Sequence, residues 1–493
     1  MNVILVISDT MRRDNLGCYG APPWAANFKG GLDHIHTPHL DRFAEQCTVF
    51  DNAYISSFPT IPTRHDILTG RHTWTFKPWS ALDPDTITLQ ETLNDAGVLT
   101  GLVADTLPPF QSGMNYQRGF QTWELIRGQE SDPWKASPKD VTFPCDPSKL
   151  RNPDGAVTQF LRNVSHLNSE EDYFPAQTFR EAARWLESNH TRDPFFLYID
   201  TFDPHEPWYP PRHYTDLYDP GYDGDEVIFP RYDHCNYLTK AELNHCRALY
   251  AGEVTLVDHW FGHLLNRAES LDLLKNTAII FIGDHGFYLG EHGYIGKTLL
   301  TPQYQQMLPL YPEVARIPFL IYTPDGHGGR HAKAYAQPVD LMPTICDLLN
   351  VQIPETVQSS SLKPVVEGTA RTRKKRDFVI CSPTISHPDL DAPHPTTRSS
   401  IYESDWLLVF GPQVHRIRDT ETTRMVDSIL RRVRALEKGP ITPKLYHLPS
   451  DPDCKRNVMR ANRDVASELH AKYVAFLETA GVPERHLQFF REL

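Results

Sequence analysis

Cysteine is present but never paired in a pattern. Its eight copies stand at 18, 47, 145, 235, 246, 346, 381 and 454, and no C-x-x-C occurs. That spacing argues against a zinc ribbon and against a disulfide framework, which needs cysteines packed densely in a short chain. Long apolar runs are also missing: "TAIIFI" (277–282) is far shorter than the roughly 20 residues that cross a bilayer. Positive charge is in deficit, with 49 Lys and Arg against 62 Asp and Glu. The net charge of −13 disfavours general nucleic-acid binding, although a local site can still hold a small anion. No basic stretch or small-residue cleavage site precedes the apolar opening "MNVILVISDT", so no signal peptide is expected. The Asn-x-Ser/Thr triplets at Asn163 and Asn189 then carry no meaning, and a cytoplasmic enzyme with no membrane partner is the expectation.

What is there is a repeated alternation of strand and helix. "NVILVIS" (2–8) is a continuous β-branched and aliphatic run, as expected of a strand buried on both faces of a parallel sheet. Helix-then-strand patterns follow at 37–54, 87–105 and 182–202. A longer helix at 249–270 leads to the strand "NTAIIFIGD" (276–284), and "IPFLIYTP" (317–324) leads to the helix "VDLMPTICDLL" (339–349). Such βα units predict an α/β domain with a mostly parallel central sheet and helices on both faces. Residues 106–180 and 206–246 break the rhythm and read as long insertions near the strand ends. Composition changes near 356, so 1–355 is expected to be the catalytic domain and 356–493 a smaller α+β lobe. The basic run "RTRKKR" (371–376) reads as a solvated surface stretch, and the tail "ERHLQFFREL" as a candidate contact with a second copy.

Chemistry gathers where predicted strands end. Asp9 lies just past the first strand, and Asp284 and His285 in "FIGDHG" end another. Buried carboxylates need positive compensation, and carboxylate oxygen with imidazole nitrogen suits a divalent transition metal. "DTFDPHEPW" (200–208) ends a third strand with His205. In "FPTIPTRHDILTGR" (58–71), two prolines argue against regular structure around Thr60, and a helix is expected to open at "HDILTGR". Gathered at one sheet edge, Asp9, Asp284 and His285 would form a one-metal site with Thr60 as fourth ligand and nucleophile. Arg64 would pair with the oxygens of an anionic substrate, and Lys297 in "GEHGYIGK" would add a second charge. His205 and His292 are candidates for protonating the leaving oxygen.

Nine segments in one order then carry a family resemblance: "NVILVISDTMRRDNLGCYG", "TPHLDRFAEQCTVFDNAY", "TIPTRHDILTGR", "LQETLNDAGVLTGLVAD", "DPHEPW", "FIGDHGFYLGEHGYIGK", "ARIPFLIYTP", "VDLMPTICDLL" and "KLYHLPSDP". The chain resembles the sulfatase branch of the alkaline phosphatase superfamily, nearest in pattern to its phosphonate monoester hydrolase and phosphodiesterase members. The resemblance implies an alkaline-phosphatase-like fold and metal ligands at Asp9, Asp284 and His285. It also implies a nucleophile at Thr60 and active-site roles for Arg64, His205 and Lys297. Three departures stand out. Family sulfatases hold Cys or Ser at the first position of C/S-x-P-x-R and oxidise it to formylglycine; this chain has Thr60, whose oxidation would give a ketone. The usual Asp-Asp pair is Asp9-Thr10, and the usual Lys-x-His is replaced within "VADTLPP" (103–109).

The resemblance therefore implies a metal-dependent hydrolase of phosphodiesters or phosphonate monoesters that passes through a covalent phospho-Thr60. Two alternatives stand beside it: a sulfuric ester hydrolase working without formylglycine, and a metal-binding pseudoenzyme. One divalent ion is expected, Mn²⁺ or Zn²⁺ ahead of Ca²⁺ or Mg²⁺, because His285 and Thr10 stand where harder oxygen ligands would. The substrate is expected to be a small anionic ester.

Overall fold

A computed structural model describes residues 1–136, 141–301, 304–326, 328–369, 376–386, 393, 396–413 and 442–493. The central sheet contains β1 (Asn2–Ser8), β2 (Thr48–Ala53), β4 (Leu99–Ala104), β5 (Thr122–Leu125), β6 (Phe195–Thr201), β7 (Thr277–Gly283), β8 (Phe319–Tyr322) and β9 (Arg330–Ala336). Their order across the sheet is β9-β2-β8-β7-β1-β6-β4-β5. All neighbours run parallel except β8, which is antiparallel to both β2 and β7. The expected mostly parallel sheet is present.

β1 shows why its sequence is an unbroken apolar run. Val3, Leu5 and Ile7 enter one core, and Ile4 and Val6 enter the other, so both faces are buried. On one face pack α1 (Pro38–Ala44), α4 (Phe174–Asn189) and α5 (Lys240–Ser270); on the other, α2 (Thr60–Thr69), α3 (Leu89–Asp95) and α6 (Leu341–Leu348). Among the described residues, no helix is long and apolar enough to cross a membrane.

The register places the chemistry. Ser8 pairs with Thr201 of β6 on one side and with Gly283 of β7 on the other. The residues just beyond, Asp9 and Asp284, therefore leave adjacent strands at the same edge. Asp200 of β6 lies opposite Ile7, one step back.

A second, five-stranded sheet has the order β13-β12-β11-β10-β3. It joins β10 (Val379–Pro383), β11 (Ser399–Glu403), β12 (Trp406–Phe410) and β13 (Lys444–His447) to β3 (Ser57–Phe58). β3 pairs parallel with β10, Phe58 opposite Pro383, so the C-terminal strands are hydrogen-bonded to the strand that leads into Thr60. Helix α7 (Arg463–Thr479) covers this sheet, with Trp74 stacked on Phe476 at 5.7 Å.

Three sequence expectations change. Helix α2 begins at Thr60 rather than after Arg64, because Pro62 falls in the first turn, where a missing N–H removes no helical bond. The stretch 106–180 is less irregular than expected: it supplies the edge strand β5 and the start of α4. The tail does not offer its apolar side chains to a neighbour; Leu487, Phe489 and Phe490 are buried in the core of their own lobe. Of the basic run 371–376, only Arg376 is among the described residues, and it binds Asp340 through two hydrogen bonds of 2.8 and 2.7 Å. All eight cysteines are free, as their spacing suggested.

Candidate active site

Asp9, Asp284 and His285 are fully buried, and one ligand atom of each lies within 4.8 Å of the others. The His285 Nδ1–H donates to the Gly286 carbonyl at 3.0 Å, which leaves Nε2 as the lone-pair nitrogen. Metal-binding histidines are oriented in this way. His285 Nε2 stands 3.6 Å from Asp284 Oδ2 and 3.9 Å from Asp9 Oδ1, and Thr60 Oγ1 approaches it at 3.4 Å. Asp9 Oδ2 makes no hydrogen bond, only a 3.0 Å ion-pair approach to Arg64. Two buried carboxylates, an imidazole lone pair and a hydroxyl converging on one point fit a divalent cation. Burial, then the neighbouring Asp284, raises the Asp9 pKa against the pull of Arg64. Burial, then Lys297, pushes His285 down to about 3, so its imidazole is neutral.

Thr10 extends the group. Its N–H donates to Asp284 Oδ1 and its hydroxyl to Asp9 Oδ1, both at 2.8 Å. Its φ of 62° puts a β-branched residue in the left-handed region, a strained backbone held in place by the 2.7 Å hydrogen bond from the Tyr250 hydroxyl to its carbonyl.

Arg64 does not line the cavity into which Thr60 opens. The side chain is 1% exposed and its donors are taken: Nε and Nη2 bind Asp200 at 3.0 and 2.6 Å, and Nη1 binds Asp284 at 2.5 Å and the Thr60 carbonyl at 3.2 Å. The expectation of a substrate-binding arginine is corrected here. One turn of α2 carries Arg64 from Thr60 beneath the sheet edge, where it compensates three carboxylates.

Thr60 opens instead into a cavity of about 410 Å³ with Lys297 and His205 on its walls. The His205 Nδ1–H donates to the Glu206 carbonyl at 2.6 Å, so its Nε2 accepts, and the Lys297 ammonium donates to it at 2.9 Å. Lys297 also donates to His285 Nε2 at 3.3 Å. Burial, then Lys297, lowers the His205 pKa well below its ordinary value. A neutral His205 with its Nε2 lone pair on Lys297 carries no proton on that nitrogen. Between the two, Lys297 is the hydrogen-bond donor and His205 the acceptor.

His292 is not part of this arrangement. Its φ of 56° turns it to Glu313, 3.3 Å away, and to the Tyr311 ring, and it lines two other cavities. Its expected role as a proton donor at Thr60 is withdrawn on that ground.

Sequence reasoning missed several residues. Asp200 followed the same rule as Asp9, an acid ending a buried strand, and could have been found by it. Glu130 and Arg151 also face the cavity and come from the stretch that lacks periodicity, so nothing marked them. Arg151 lies between the rings of Phe229 and Tyr232, 4.1 and 4.3 Å from their centres, and binds Glu130 at 3.3 Å and Glu206 at 3.1 Å. Within "VADTLPP", Thr106 donates to Asp200 Oδ1 at 2.8 Å, so this segment braces the arginine pair.

The profile described as Sulfatase matches residues 1–351 of the chain. The chain belongs to the sulfatase family. It is, accordingly, a hydrolase of ester bonds. Among its relatives, an arylsulfatase of Clostridium perfringens is 26% identical over 411 residues, 77% of this chain and 80% of that one. An N-acetylglucosamine-6-O-sulfatase of Bacteroides thetaiotaomicron is 25% identical over 448 residues, 75% of this chain and 72% of that one. The structure of a phosphonate monoester hydrolase of Agrobacterium radiobacter superposes with a TM-score of 0.71 at 20% identity, covering 98% and 96% of the two chains. That likeness shows the shared alkaline-phosphatase-like fold.

Proposed function

We propose that this sulfatase-family member hydrolyses phosphodiesters or phosphonate monoesters, with Thr60 as nucleophile and one divalent cation, Mn²⁺ or Zn²⁺, held by Asp9, Asp284, His285 and Thr60. The observation that carries this reading is the threonine. A formylglycine aldehyde forms from a side chain with two hydrogens on Cβ; Thr60 carries a methyl there and keeps its hydroxyl. A bound cation would supply positive charge that lowers the hydroxyl's pKa and offsets charge on the transferring group.

The chain's own residues define the rest. Thr60 begins helix α2, so its hydroxyl stands at the positive end of the helix dipole. It loses its proton to water, and Oγ1 forms a bond to phosphorus. The bond to the leaving oxygen breaks with its electron pair, and that oxygen takes a proton from Lys297, which His205 keeps aimed into the cavity. Water then attacks phosphorus and the Oγ1–P bond breaks; one proton of that water passes to Oγ1, restoring the hydroxyl, and Lys297 regains its proton from solvent. Arg64 keeps Asp9 and Asp284 compensated and in place throughout.

One observation favours a second reading: the relatives named above are called sulfatases. A sulfated threonine lacks the diol by which a formylglycine sulfate expels its sulfate, so turnover on sulfate esters is the harder case. A metal-binding pseudoenzyme is disfavoured by the intact set of Thr60, His205 and Lys297. The metal-loaded protein, assayed on nitrophenyl phosphate, phosphodiester, phosphonate and sulfate esters, distinguishes all three. Turnover of the phosphodiester or phosphonate is expected. Turnover of the sulfate ester alone would overturn the proposal, and inertness toward all four would leave the pseudoenzyme.

A further inference from the structure

A second cavity, of about 560 Å³, shares no residue with the one that holds Thr60. It is bounded by 12–14 just after Asp9, by 290–292 on the way to Lys297, and by 452–455 of the C-terminal chain. His292 stands in its wall.

Five cationic side chains and four carboxylates face this cavity, but they are not evenly paired. Arg12 is matched by Asp14 at 2.6 Å and Glu291 at 2.7 Å, Lys455 by Asp453 at 2.6 Å, and Glu313 faces His292 at 3.3 Å. Three guanidiniums remain. Arg247 donates to the Leu289 carbonyl and the Asn244 side chain and packs over the Trp24 ring at 5.6 Å, and Arg316 donates to the Asp51 carbonyl and packs over the Tyr54 ring at 5.6 Å; neither has a carboxylate within ion-pair distance among the described residues. Arg13 has its ion-pair partner, Asp51, at 3.8 Å. The Nε atoms of Arg13 and Arg316 are buried without a hydrogen bond. Burial and then the neighbouring Arg316 depress the Arg13 pKa, a sign that the two cations crowd each other. Gly290, at a φ of 107°, lets Arg247 lie against the turn; a Cβ there would stand 2.7 Å from its Nη2.

Guanidiniums drawn partly out of water without a carboxylate at hydrogen-bond distance are unfavourable, and a planar fork of N–H donors is well matched to an oxyanion. The geometry points to a second anion site, held by Arg13, Arg247 and Arg316, that binds a tetrahedral oxyanion apart from Thr60. The oxyanion is either free inorganic phosphate or sulfate, or one group of a longer polyanion. The site does not depend on which ester the Thr60 cavity hydrolyses.

The wild-type protein can be tested directly, because the three side chains are only partly buried. Phenylglyoxal modifies accessible guanidiniums, and peptide mass spectrometry reads each position. Inorganic phosphate should slow modification of Arg13, Arg247 and Arg316 together and leave the surface residues Arg184 and Arg212 unaffected. A parallel arm uses inorganic tripolyphosphate. Protection by phosphate assigns the site to a free anion; protection by tripolyphosphate alone assigns it to a polyanion. In titration calorimetry with the protecting anion, Arg247→Gln and Arg316→Gln should each weaken this binding about tenfold, the loss of one charge-assisted hydrogen-bonding group. Lys297→Ala should leave it intact. Unchanged modification rates with both anions, or protection that vanishes with Lys297→Ala, would overturn the site.

Discussion

Arg64 and Asp200 form a two-pronged ion pair with almost no exposure, Nε to Oδ2 at 3.0 Å and Nη2 to Oδ1 at 2.6 Å. The pair fixes the plane of the guanidinium so that Nη1 is left for Asp284 and Asp9. Removing Arg64 would strand three buried carboxylates. Arg64→Ala is therefore expected to destabilise the metal-free protein by about 3–5 kcal/mol, the usual cost of breaking a buried pair. A divalent cation should restore part of that loss, so added metal should raise Tm more in the variant than in wild type. Equal Tm shifts would place Arg64 outside the carboxylate group's charge balance.

Thr60 gives the most direct test of the proposed chemistry. Thr60→Ala should lower kcat on the best phosphoester by roughly 10³-fold or more while retaining metal on Asp9, Asp284 and His285. Thr60→Ser keeps a hydroxyl and should retain measurable turnover. Mass spectrometry of the wild-type protein should show an unmodified threonine at 60. An oxidised residue there, or full activity in Thr60→Ala, would refute the nucleophile.

Much of this site was legible because buried strands announce their ends. An acid after an apolar run, as at Asp9 and Asp284, is costly without positive compensation, and the parallel register then puts the two side by side. The orientation of Arg64 was not legible. Whether it faces the cavity or the carboxylates depends on where the first turn of α2 begins, and Pro62 misled on that boundary. His292 shows the same limit: three residues from Glu291 to Gly293 form a turn whose direction is set by a left-handed residue, and spacing alone does not reveal it. Arg151 is brought to the cavity by packing against Phe229 and Tyr232, and Glu130 pairs with Arg151, tertiary facts with no local periodicity.

Lys297 should matter in proportion to the proton demand of the leaving group. Lys297→Ala is expected to lower kcat/KM on an alkyl phosphoester by roughly 10²-fold or more. A 4-nitrophenyl ester should suffer less, since nitrophenolate leaves without a proton. Equal losses on the two would assign Lys297 to charge stabilisation alone.

Thr10 tests the cation by adding a ligand. Thr10→Asp replaces a β-branched residue by one better tolerated in the left-handed region, where strain runs to about 1–3 kcal/mol. It also places a second carboxylate beside Asp9. Metal affinity should rise and metal-free stability should fall, read by metal titration and by Tm with chelator. A stable metal-free variant with unchanged affinity would show that residue 10 does not reach the cation.

The last expectation concerns acid. His72 is buried where the catalytic chain meets helix α7; its Nδ1 is 2.7 Å from the Ser56 hydroxyl and its ring packs edge-on against Phe476. Burial, with Arg376 adding to it, pushes its pKa down to about 3. The unfolded chain takes up a proton on His72 near its ordinary value of about 6.5, whereas the folded chain refuses it down to about 3. Folding stability contributed by the neutral ring is thus complete above pH ~6.5 and falls steadily toward pH ~3. Between pH ~6.5 and 5 the loss from this one residue is about 2 kcal/mol. His72→Gln, which cannot be protonated and can keep a hydrogen bond to Ser56, should lose correspondingly less stability than wild type in urea unfolding at pH 5 relative to pH 7.5. A variant that parallels the wild-type loss across that interval would mean that His72 is already charged in the folded protein, or that its burial is relieved before the chain unfolds.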